Sequence, residues 1–174
     1  MKKKILATAV LIVTMFTTIA CGGEKDELSQ YKSEVDSFYK TISQCDTKMN
    51  KIDSSSADAS TELLKELDIL NQAFKDFAAA PVPYEFAAVE SLADEASEYM
   101  NEAVELYHEA FETDPFDEFT AGIAQQKYNR AIVRVNYIGQ ILQGKELSGE
   151  GISTYTEDLE TGEIIKENSE PENQ

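Results

Sequence analysis

The sequence predicts an all-α protein: an antiparallel up-down-up-down bundle of about four helices, followed by an acidic C-terminal tail. Two observations carry this. Through three long stretches, apolar residues recur at alternating spacings of three and four without a miss, which puts them on a single stripe of a helix. The breaks between stretches are short and rich in serine, aspartate and proline, and short connections favour antiparallel neighbours. A three-helix core with the second helix lying across it is the alternative packing.

The first stripe is Leu28, Tyr31, Val35, Phe38, Ile42, Cys45, Met49 and Ile52, a narrow seam of coiled-coil type. The polar connector from Asp53 to Ser60 follows, where Asp58 or Ser60 is placed to cap the next helix. Leu63, Leu67, Leu70, Phe74 and Phe77 form the second stripe. Pro81-Val82-Pro83 stops it, because proline lacks a backbone donor and forces the preceding residue toward extended geometry. Pro83 also suits the opening of a third helix, where a missing N–H costs nothing.

Phe86, Val89, Ala93, Ala96, Met100, Ala103, Tyr107 and Ala110 make the third stripe, and its alanines allow a neighbouring backbone to come close. Asp114-Pro115-Phe116-Asp117 reads as a cap, a proline at the first helical position and an acidic first turn, so a fourth helix is expected to start there. Phe116, Phe119, Ile123, Ala131, Val135, Ile138 and Leu142 are expected on its apolar side, with Gly144 closing it. From Lys145 onward the helical period is gone. A hairpin around Thr161-Gly162 is conceivable, but a two-stranded ribbon alone is marginal in water, so residues 145–174 are expected to be a largely disordered acidic tail.

The N-terminus is different in kind. Met1-Lys2-Lys3-Lys4 precedes an apolar run from Ile5 to Phe16 and then the small residues Thr17, Thr18 and Ala20, the layout of a secretory signal peptide. The run is short of the roughly 20 residues that cross a bilayer. Thr18-Ile19-Ala20-Cys21 resembles the lipobox of bacterial lipoproteins, with threonine where leucine is usual. The resemblance covers residues 1–21 only. It implies that the Cys21 thiol takes a diacylglyceryl group and that cleavage before it makes Cys21 the new N-terminus. Two acyl chains, at ~0.8 kcal/mol per buried methylene, suffice for stable anchoring. The expected organisation is then a signal peptide (1–20), a tether (21–26), a helical bundle (27–144) and the tail (145–174), on the extracytoplasmic face of the cell membrane.

Charge narrows the partners. The 174-residue chain carries a formal net charge of −18, and loss of residues 1–20 removes three lysines and makes it −21. Nucleic acid and anionic lipid surfaces repel such a chain. Between Lys75 and Lys127 there are thirteen acids and no lysine or arginine. Lys127, Arg130 and Arg134 then fall within two turns of the fourth helix. If the third and fourth helices fold back about residue 114, Arg134 meets Asp94 or Glu95, Arg130 meets Glu98, and Lys127 meets Glu102. These cations are therefore candidates for salt bridges, or else for a fork that holds a carboxylate or phosphate.

Little else suggests chemistry. Cys45 lies in the apolar seam, where a free cysteine acts as a small hydrophobe. His108 follows Glu105 in a Glu-x-x-His pattern, but di-iron bundles use that pattern twice and the chain has one histidine. No EF-hand spacing, glycine-rich phosphate loop or paired-cysteine motif occurs. Neither an enzyme nor a resident metal or cofactor is expected. The expected function is a non-catalytic interaction or structural module of the cell envelope with a protein partner; the alternative is a small-ligand-binding lipoprotein with an inter-helical pocket near Arg130, Arg134, Tyr128 or Tyr137.

Overall fold

The computed structural model describes residues 24–145, 147, 154–157 and 164–167; the signal peptide and the Cys21 lipidation expected from sequence lie outside the described residues. Four helices are present among them: α1 (Glu24–Met49), α2 (Ala59–Ala78), α3 (Ala87–Glu112) and α4 (Glu118–Leu142). Contacts spaced along the helices show that neighbours run antiparallel. Lys48 reaches Glu66 while Tyr31 stacks on Phe77. Asn71 bonds Asn101 while Asp68 bonds His108. α2 is therefore a full member of the bundle rather than a strap across it. α4 closes on α1 through the Tyr39 hydroxyl, which donates to the Val135 carbonyl at 3.1 Å. No helix among the described residues is long and apolar enough to cross a membrane.

The core is built from two unlike seams. Between α1 and α2 it is aromatic: Phe38 stacks on Phe77 with ring centroids 4.2 Å apart and meets Phe74 edge-on at 5.0 Å. Each such buried ring contributes about 1.5–3 kcal/mol. Between α3 and α4 it is small: Ala93, Ala96, Ala103 and Ala110 are buried opposite Ala124, Ala131 and Gly139. This is the most extensive helix–helix contact among the described residues, as expected where short side chains let two backbones approach. The two helices form a stiff ribbon.

Several boundaries depart from the sequence expectation. α1 begins at Glu24, inside the stretch read as tether. Asp58 occupies the cap position of α2, yet its side chain makes no capping hydrogen bond, and Ser60 lies inside the helix. Pro83 opens a short 3-10 turn, Tyr84–Phe86, that runs into α3. α4 is capped by Asp117 rather than Asp114. The Asp117 carboxylate accepts from the Phe119 and Thr120 amides at 3.0 and 3.1 Å and from the Thr120 hydroxyl at 2.7 Å, so three donors converge on one side chain. The Asp114–Pro115 bond is cis.

Ala131, Val135 and Ile138 are buried as expected, and the difference is confined to the start of α4. Phe116 and Phe119 are 45% and 77% exposed instead of buried, and Thr120 and Ala124 take the core positions. At the other end Gly144, at φ 65°, closes the helix: its amide donates to the Ile141 carbonyl and Lys145 donates to Gln140, both at 2.9 Å, the paired bonds of a Schellman cap. In the segment expected to be a disordered tail, strands β1 (Thr154–Glu157) and β2 (Ile164–Glu167) pair antiparallel, with Thr154 opposite Glu167. Threonine in β1 and isoleucine in β2 are residue types that favour strands.

Candidate interaction surface

The small-residue seam of α3 and α4 sets the register that assembles the candidate site. Residues four apart stand one above another on a helix, so α4 presents Arg134, Arg130 and Lys127 along one flank, with Ile123 and Phe119 continuing it toward the N-terminus. α3 faces this flank with Glu95, Tyr99, Glu102 and Leu106. Arg134 Nε donates to Glu95 Oε2 at 2.9 Å, and Lys127 forms an ion pair with Glu102. Arg130 does not pair with Glu98 in this register. It lies instead against the ring of Tyr99, its guanidinium carbon 5.7 Å from the ring centroid.

Tyr99 is the residue that sequence reading missed. All three cations gather over its ring, with Lys127 Nζ at 5.4 Å and the Arg134 guanidinium carbon at 5.2 Å. The ring quadrupole attracts each cation, by about 0.5–1 kcal/mol at partly exposed sites, and the two flanking carboxylates offset the repulsion among them. A signal was available in the sequence: Tyr99 is the aromatic residue that falls opposite Arg130 when Arg134 is set against Glu95. Lys127 and Arg134 are thus paired with carboxylates, while the exposed Arg130 lies against the Tyr99 ring.

Beyond Lys127 the ribbon changes character. An open groove of about 370 Å³ is lined by Glu102, Glu105, Leu106, Glu109 and Lys127, three carboxylates to one ammonium. At the α3–α4 turn beyond it, Phe111 and Phe116 touch with ring centroids 4.8 Å apart, and Phe119 is 77% exposed. Glu112, Asp114 and Glu118 are exposed around this end. The groove is hostile to anions and offers an apolar surface to anything cationic.

The remaining candidates resolve into local packing. Cys45 is 1% exposed, and burial first, then the charge of Glu66, pushes its thiol up to about 11, with Lys48 pulling the other way. A thiol held there is not a nucleophile at neutral pH. Glu66 was not anticipated: it is a buried carboxylate that takes both oxygens to Lys48 Nζ at 3.0 Å. His108 bonds Asp68 at 2.8 Å on the α2 side, and Glu105 accepts from Asn101 at 2.7 Å, so the Glu-x-x-His pair is split between different partners. No group of three potential metal ligands occurs among the described residues. Tyr137 is buried on α4, three residues from Arg134. Burial lifts the Tyr128 hydroxyl to about 12, with Asp46 of α1 and Tyr107 of α3 adding to the effect. No protein-family model, no curated protein and no solved structure matches this chain.

Proposed function

We propose that the protein is a lipid-anchored component of the bacterial cell envelope whose bundle is a non-catalytic interaction module, held outside the cytoplasm by acyl chains on Cys21. The observation that carries the reading is the contrast along α4. Lys127 and Arg134 are paired with Glu102 and Glu95, and Arg130 lies against Tyr99, whereas Phe116 and Phe119 stand exposed with acids near them in sequence. A ligand-binding lipoprotein needs the reverse, free cations around a pocket. The packed rings of Phe38, Phe74 and Phe77 in the α1–α2 seam support the same choice.

The anchor and the module are tested separately. Metabolic labelling with an alkynyl palmitate is expected to mark the wild-type chain, and Cys21→Ser is expected to lose both the label and its place in the membrane fraction. Crosslinking in intact cells is expected to yield reproducible protein adducts. Unlabelled Cys21 on material recovered from the growth medium overturns the anchoring. Saturable binding of a small molecule with no protein adduct overturns the module.

A further inference from the structure

We propose that the tip of the α3–α4 ribbon is the docking site, and that its occupant is a cationic segment of another protein carrying a large apolar side chain between lysines or arginines; this rests on the interaction-module reading above. Phe119 and Phe116 are 77% and 45% exposed at the α3–α4 turn, Phe116 resting against the partly covered Phe111, and a groove lined by Leu106, Glu105 and Glu109 lies on the same half of the ribbon. Ile123, half-buried, links Phe119 to Lys127 along the same flank. An exposed aromatic cluster of this kind is the raw material of an interface hot spot.

Charge selects the occupant. Glu105, Glu109, Glu112, Asp114 and Glu118 are exposed around the patch, and the nearest cation, Lys127, is already paired with Glu102. A second copy of this chain brings the same acids to the contact and is repelled. A lipid surface fails on both charge and position. The patch lies at the bundle end shared with the C-terminus of α1, and the N-terminus of α1, with the proposed anchor, is at the opposite end, 26 residues or about 39 Å away. A basic segment gains from every carboxylate on the rim and buries its apolar residue against the phenylalanines.

The test uses purified full-length chain and, as probe, an amphipathic peptide of lysine and leucine, with a counterpart in which glutamate replaces lysine. The lysine peptide is expected to bind saturably and its counterpart not. The double variant Phe116→Ser, Phe119→Ser is expected to weaken binding by about tenfold or more and to lower the melting curve only slightly, through the lost Phe111–Phe116 contact. Glu105→Gln with Glu109→Gln is expected to flatten the salt dependence. Equal binding of the two peptides, or no loss in the serine variant, overturns the proposal. In cells, a photoreactive side chain is placed at 119 or, on α2, at 69. Adducts at 119 whose linked peptide is basic support the site. Acidic linked peptides, or adducts at 69 alone, overturn it while leaving the interaction module standing. Absence of adducts at both positions removes the two together.

Discussion

The halves of the α3–α4 ribbon share one small-residue seam and one acidic helix, but they face different neighbours. In the half nearer the α2–α3 turn, Glu95 and Glu102 meet Arg134 and Lys127 over the ring of Tyr99. In the half nearer the α3–α4 turn, Glu105, Glu109 and Glu112 meet no cation on α4, and phenylalanines take the place of the arginines. Like charges four apart on a helix cost roughly 0.2–0.5 kcal/mol per pair. The first half removes that cost internally and the second retains it. What the difference teaches is that the acidity of α3 is a structural matter where it is neutralised and a recognition matter where it is left open.

The largest test removes both halves at once. Burial holds the Cys45 thiol at about 11 and the Tyr31 and Tyr128 hydroxyls at about 12, above the ordinary 9.0 and 10.0 of the unfolded chain. A folded value raised in this way contributes stability that is complete below the unfolded value and lost as pH rises through the folded one. Circular dichroism is therefore expected to show a bundle indifferent to pH between 7 and about 9 that unfolds between about 10 and 12. A melting curve unchanged at pH 12 contradicts the burial of these groups.

Next in size is Ala103→Leu, which forces a large side chain between backbones at a position 0% exposed. Denaturant titration is expected to show a loss of about 1–3 kcal/mol. Tyr99→Ala follows, at about 1 kcal/mol, and acts only on the neutralised half by leaving three cations without their common ring. Exchanging the charges of one pair, Arg134→Glu with Glu95→Arg, is expected to restore most of what either change loses, with a coupling of about 0.2–1 kcal/mol that fades in high salt. The smallest effect compares the halves most directly. Glu95→Lys is expected to destabilise the bundle, and Glu109→Lys to stabilise it by about 0.2–0.5 kcal/mol; the same sign at both positions erases the distinction.

The helices were legible because their seams repeat without interruption: Leu67, Leu70, Phe74 and Phe77 are all buried, as are Val89, Ala93, Ala96 and Met100. The fourth helix was legible over its C-terminal half, where Ala131, Val135 and Ile138 are buried, but not at its start. Asp114 and Asp117 are equally good caps on paper, and the choice between them depends on Thr120, whose hydroxyl adds a third donor to Asp117. Choosing the earlier cap turned Phe116 and Phe119 inward on paper and hid the patch. Tyr99 and Glu66 were missed for a related reason. Each sits on a helix flank, and its role appears only when the facing helix is set in register.

The Lys48–Glu66 contact reaches beyond α1 and α2 themselves. A carboxylate sunk beside Cys45 is tolerable only while its ammonium partner stands at one height. Sliding α2 by a single turn along α1 would strand it against thiol and hydrocarbon. The pair therefore works as a detent, locking a rod otherwise held by greasy, slippery stripes against axial drift. Whatever pulls on the far tip of the molecule is then transmitted to its base without slack.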